Sequence, residues 1–198
     1  MQIGTDRIRH IIQSLQSFSR IDQSEMKSIN IHEGINSTLL ILQHRLKANV
    51  NHSGVQVIKE YGDLPLVECY PGQLNQVFMN LLSNALDALE VSKARRSLED
   101  IQQHPSIIHI QTQLLECDRI AIHIADNGIG MPEEVRCRIF DPFFTTKAIG
   151  KGTGLGLSIS YQIVVEKHKG EIQCIAAPGQ GTKFIIEIPT TQTALAKQ

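Results

Sequence analysis

The chain has 198 residues, 41% of them apolar, enough to bury one sizeable core with an appended element. Its 19 Lys and Arg against 20 Asp and Glu leave a formal charge of -1, which excludes the basic footprint of a nucleic-acid binder. Cys69, Cys117, Cys137 and Cys174 are far apart, with no C-x-x-C pair and no apolar run near the roughly 20 residues of a membrane helix, so neither a zinc site, a disulfide framework nor direct membrane contact is expected, and a cytoplasmic setting is the default, with membrane attachment of a longer parent protein left open.

The first stretch reads as a helix with a narrow seam: Ile8, Ile11, Leu15 and Phe18 recur at alternating three- and four-residue steps, while Arg7, Arg9, Gln13, Gln16 and Arg20 fill the other faces. The pattern predicts a coiled-coil helix and dimerisation through residues 3–27, with a simple capping helix as the alternative. Ile29-Asn30-Ile31 reads as a short strand, and Ile35, Leu39, Leu42 and Leu46 follow at helical spacing. Residues 55–61 predict a strand, residues 62–65 a turn and residues 66–70 a second strand, after which Pro71 opens a long helix.

Residues 92–103 carry few apolar anchors and read as an exposed helix end and loop. Two β-rich segments, 107–115 and 120–125, predict a hairpin, and residues 132–140 a brief helix with Pro132 in its first turn. A helix is expected from Leu155 to His168, then a hairpin of 171–176 and 183–188 across Pro178-Gly179-Gln180-Gly181, and a frayed tail from Thr190. Helices and paired strands without regular alternation indicate an α+β fold, a mixed, mainly antiparallel sheet with helices on one face.

Four islands carry chemistry. In Asn80-Leu81-Leu82-Ser83-Asn84-Ala85-Leu86-Asp87-Ala88 the polar residues Asn80, Asn84 and Asp87 share one helix stripe on an otherwise apolar surface. Buried amides need partners or a ligand, and amide oxygens suit magnesium whose other ligands are phosphate and water. Local backbone bridging is the competing explanation. Asp126-Asn127-Gly128-Ile129-Gly130 ends a β-rich segment, where a carboxylate can accept from an exocyclic amine such as that of adenine while glycines let the backbone approach the ring. An ordinary Asp-Asn-Gly turn has the same composition.

Phe143-Phe144-Thr145-Thr146-Lys147 and Gly150-Lys151-Gly152-Thr153-Gly154-Leu155-Gly156-Leu157 then lead into a helix. Glycines expose backbone N–H groups to an anion, and Lys147 or Lys151 supplies a point charge. Neither the G-x-x-x-x-G-K-[ST] loop nor the G-x-G-x-x-G spacing is present, which disfavours both common phosphate-binding classes.

In order and spacing these islands resemble the N box, first glycine box, F box and second glycine box of the sensor histidine kinases. That family is kin to gyrase B, the mismatch-repair ATPases and a heat-shock chaperone. The resemblance covers roughly residues 29–189 and implies a two-layer α/β sandwich of Bergerat type, preceded by the coiled-coil-like helix, that binds ATP with Mg2+ beneath a mobile lid. It implies domains at 1–27 (part of the second helix of a dimerisation hairpin), 28–190 (ATP-binding) and 191–198 (tail).

Carried over by position, Asn84 would be the magnesium ligand, with Asn80 assisting and Lys147 and Lys151 acting on the phosphates. Asp126 would bind the adenine amine over Gly128, Gly130 and Met131. Phe144, Thr145 and Thr146 would border the lid, and Gly150, Gly152, Thr153, Gly154, Leu155, Gly156 and Leu157 would wrap the phosphates. Thr182 would support Asp126 through water, and Asp87 would hold the pocket together. The hydrolysing relatives carry a glutamate four residues before the magnesium asparagine as general base. Here that residue is Asn80, an amide, so the pocket is expected to hold ATP for transfer.

The family's acceptor histidine is usually followed by an acid and, further on, Pro or Asn. His32-Glu33 is followed by Gly34 and lies at the domain entry, and His10 is followed by Ile11. Neither fits, so the acceptor is expected on a helix outside the chain, with His32 exposed or capping, and a response regulator as downstream partner. A non-catalytic nucleotide-binding regulatory module, an ATP-driven clamp of the gyrase or chaperone kind, and a serine kinase resembling anti-sigma factors are the alternatives.

Overall fold

The computed structural model describes residues 25–47, 54–147 and 152–192. The coiled-coil-like helix, His10, His52, Gly150 and Lys151 lie outside the described residues.

Strand β1 (Lys27–Ile29) pairs antiparallel with β3 (Val67–Cys69), making a two-stranded sheet. Ile31 does not continue β1 as the sequence suggested. The Asn30 side chain accepts from the His32 backbone N–H at 2.9 Å, and this cap turns the chain into helix α1 (Ile31–Ile41), followed by the single turn α2 (Gln43–Leu46). Strand β2 (Val55–Tyr61) forms the edge of the main sheet, and α3 (Pro71–Lys93) is its principal cover.

Residues 92–103 hold more order than expected. Ser97 accepts from the Asp100 backbone N–H and starts a short helix, α4 (Leu98–Gln103). Strands β4 (Ser106–Leu115) and β5 (Arg119–Asp126) form the first hairpin. The predicted helix at 132–140 is only one turn, α5 (Glu133–Arg136), and the helix expected over 155–168 divides into α6 (Gly156–Tyr161) and a π-helical turn (Gln162–Lys167). β6 (Glu171–Ala176) and β7 (Thr182–Pro189) close the chain.

The five-stranded sheet runs β2-β4-β5-β7-β6, parallel only between β2 and β4. Alternate residues of its strands, among them Ile108, Ile110, Ile122, Ile124, Phe184 and Ile186, are buried against Leu74, Phe78, Leu81, Leu82, Leu86 and Leu89 of α3. Each such side chain contributes about 1.5–3 kcal/mol by leaving water. Among the described residues the principal helices pack on that face, the two-layer α+β arrangement that the element pattern predicts. Past β7 the chain is pinned rather than frayed as far as residue 192: Thr190 N–H donates to the Asp118 carbonyl, and the Gln192 side chain donates to the His168 carbonyl at 3.1 Å. Among the described residues, no helix is long and apolar enough to cross a membrane.

Candidate functional site

One face of α3 organises the site. Leu81, Leu82, Ala85 and Leu86 commit the rest of the helix to the core, so Asn80, Asn84, Asp87 and Ala88 are left facing the loops that follow the sheet. At its near end the Asn80 side chain donates through Nδ2 to the Gly156 carbonyl at 2.9 Å and to Ser160 Oγ at 3.2 Å. Asn80 thereby fixes the start of α6 against α3.

One turn on, Lys147 Nζ lies 3.0 Å from Asn84 Oδ1 and 2.5 Å from Asp87 Oδ2. The other Asp87 oxygen accepts from Arg45 Nη2 at 2.6 Å, and the same nitrogen donates to Glu90 at 2.7 Å. Burial pushes the Asp87 carboxyl up, but the hydrogen bonds from Lys147 and Arg45 outweigh it and hold the group below its usual range. Asp87 therefore stays ionised and binds two cations.

The far end is built by β5. Asp126 stands at the strand's last position, opposite Thr182 of β7, and its Oδ1 accepts from the Gly128 N–H at 2.8 Å. Burial raises its carboxyl to about 6, against the opposing pull of backbone N–H groups of Gly128 and Thr182. Thr182 lies opposite Asp126 in the β5–β7 pairing. A Cβ on Gly128 would stand 2.9 Å from the Ala88 Cβ, so only glycine lets this loop lie on α3. Ala88 is one turn beyond Asn84, and the two ends of the site thus share one helix face. Gly130 and the partly buried Met131 continue the loop beneath it. Outside Gly128 a cavity of about 520 Å3 is lined by Ser92, Arg95, Arg96, His104, Ile129 and Gly179, among others.

Segments 143–147 and 152–157 meet beside Lys147. A Cβ on Gly152 would stand 2.7 Å from Thr145 Oγ1 and 3.2 Å from Lys147 Cδ, so the segments on either side of residues 148–151 run together. Phe143 is 74% exposed with φ of 65°, and Gly154, at φ of +66°, packs so closely on it that a Cβ would come within 2.4 Å of the Phe143 carbonyl carbon. Phe144 lies under the Arg138 guanidinium, 4.4 Å from its ring centre. Thr146 is exposed, Thr153 Oγ1 accepts from the Leu155 N–H, and Leu157 packs on the core.

Among the sequence-predicted residues that are described, the fold gathers Asn80, Asn84, Asp87, Lys147 and Gly156 at one end and Asp126, Gly128 and Thr182 at the other. Arg45, Arg138 and His168 had no signal in the sequence that pointed to the site. His32 is neither exposed nor a cap donor through its ring: its Nε2 meets Thr112 Oγ1 at 2.8 Å and its ring stacks on Tyr61 at 4.2 Å. Among the described residues no group of three or more His, Cys, Asp or Glu is gathered for a metal. Cys69, Cys117, Cys137 and Cys174 are all free thiols.

Residues 69–192 match the family described as histidine kinase-, DNA gyrase B- and HSP90-like ATPases, and the chain belongs to that family. ATP is accordingly the nucleotide of this fold. Sporulation kinase E of Bacillus subtilis is 38% identical over 150 residues, which is 75% of this chain and 18% of that protein, so the chain spans less than a fifth of that relative. The catalytic domain of histidine kinase ThkA superposes with a TM-score of 0.67 at 30% identity, covering 84% of this chain and 97% of that one. ThkA in complex with response regulator protein TrrA is similar at a TM-score of 0.65 and 25% identity, over 96% of this chain and 49% of that one.

Proposed function

We propose that the chain is the ATP-binding catalytic portion of a two-component sensor histidine kinase, transferring the γ-phosphoryl of ATP to a histidine on a partner helix. One observation carries the choice of transfer over hydrolysis. The residue four before Asn84 is an amide whose nitrogen is already committed to the Gly156 carbonyl and Ser160, so no general base stands where one would activate water.

In this reading the adenine amine donates to Asp126 above Gly128, and the triphosphate runs along α3 toward Asn84. Hard oxygen donors that already attract an ammonium suit a divalent ion, so Asn84 Oδ1 would hold magnesium together with phosphate oxygens, and that ion would spread the developing charge. Lys147 and Lys151 would reach the phosphates, Asn80 and Asp87 would position α6 and the cation cluster, and Gly150 through Leu157 would close over them. Residues 28–190 act as the ATP-binding unit and residues 1–27 as part of a dimerisation hairpin. The partners are the acceptor helix and, downstream, a response regulator of the kind bound by ThkA. Free thiols and ATP use fit a cytoplasmic setting.

The test is to mix the chain with γ-labelled ATP, Mg2+ and a separate acceptor hairpin. Acid-labile phosphate on the hairpin is the expected result. Tight ATP binding without transfer would favour a regulatory module instead.

A further inference from the structure

The same cluster shows a cation already in place beside Asn84. The Lys147 ammonium bridges Asn84 Oδ1 at 3.0 Å and Asp87 Oδ2 at 2.5 Å, while Arg45 takes the other Asp87 oxygen. With Glu90 on Arg45, two cations face two carboxylates, and the cluster offers a divalent ion no net attraction. A free ion entering here would have to displace an ammonium and settle for one neutral amide and a carboxylate still held by Arg45.

We infer that Lys147 is a tethered cation that occupies the metal locus until nucleotide arrives, so that the site takes up a metal–nucleotide chelate and rejects the free ion. This rests on the reading of the pocket as the ATP site. Triphosphate oxygens supply the negative charge that draws the ammonium off Asp87, and lysine suits the task because its charge rides on a flexible stem. The Lys147 stem lies against Gly152. Lys147 is thus a specificity-determining residue as well as a phosphate contact.

The experiment uses Mn2+ as the probe, followed by its electron paramagnetic resonance signal on the full chain without nucleotide. Wild type should take up no Mn2+ at concentrations where Lys147→Met and Lys147→Gln each bind one ion, a gain of at least about tenfold in affinity. Lys147→Arg should stay like wild type, and adding Asp87→Asn to Lys147→Met should abolish the gained site. Circular dichroism melts establish that each variant is folded. Equal Mn2+ uptake by wild type and both uncharged variants, with Mn2+–ADP still bound by all, would overturn the tethered-cation role and leave the pocket reading intact. Failure of the folded wild type to bind Mn2+–ADP would instead overturn the pocket reading itself.

Discussion

Asp126 is the residue whose chemistry depends most on where the fold puts it. Burial raises its carboxyl to about 6, so protonation begins not far below neutral pH. Only the ionised form leaves both oxygens as acceptors for an amine, and adenine-nucleotide affinity should therefore fall as pH drops through about 6. In Asp126→Asn that extra fall should vanish, with affinity low at every pH; calorimetric titration with ADP from pH 8 to pH 5 checks both. Linkage has the opposite sign for the empty protein. A carboxyl with a raised folded-state value binds its proton more readily folded than unfolded, so this group adds stability as pH falls from about 6 toward the ordinary range of about 4. Asn84→Ala should leave the melting temperature nearly unchanged, because the side chain faces the cluster and not the core, yet weaken metal-dependent ATP binding by about tenfold or more. The grouping of Asn84, Asp126 and Gly128 along α3 was legible in the sequence, because their motifs place the first on a helix face and the others at a strand end. Arg45 was not, since it lies 42 residues before Asp87 and only the folded chain joins them.

The joint between α3 and α6 sets the geometry beside Asn80 and Asn84. Asn80→Asp would remove both donors and set a carboxylate against the Gly156 carbonyl, at a cost of about 1–3 kcal/mol. Introducing an acid there should accordingly lower the urea midpoint. The other end of the joint is the π-helical turn, which delivers His168 into the core: its Nδ1 meets the Ile163 carbonyl at 2.8 Å and its Nε2 accepts from the Tyr70 N–H at 3.1 Å, just before α3 begins. Burial lowers the His168 value. The unfolded chain then takes up the proton first, so this group's contribution is intact above about pH 6.5 and is lost as pH falls below it. His168→Ala should cost about 2–4 kcal/mol at pH 8 and flatten the stability loss between pH 7 and pH 5, measured by urea unfolding at each pH. Strand alternation made β4 through β7 legible to within a residue or two. The π turn was not, because one wider turn leaves the apolar spacing of a helix almost unchanged, and α4 was hidden in a polar run whose only marker is the Ser97 cap.

At the scale of the molecule, the sheet and α3 make one layered core, and the half-buried polar stripe of α3 faces Asp126 and Gly128 at one end and Lys147 at the other. The order of four short islands made this architecture legible, since only a fold that returns each island to the same helix face can use them together. What the sequence left out is the charge balance around Asp87, which depends on Arg45 and Lys147 arriving from two distant segments. The central claim is that this pocket hands its phosphoryl group to a histidine and leaves water alone. The most direct test follows single-turnover consumption of γ-labelled ATP with and without the separate acceptor hairpin, counting label on protein against inorganic phosphate. The account predicts rapid consumption only with the hairpin, most of the label on it in acid-labile form, and none with Asn84→Ala. Equal release of inorganic phosphate with or without the hairpin, at the rate of an ordinary ATPase, would contradict it.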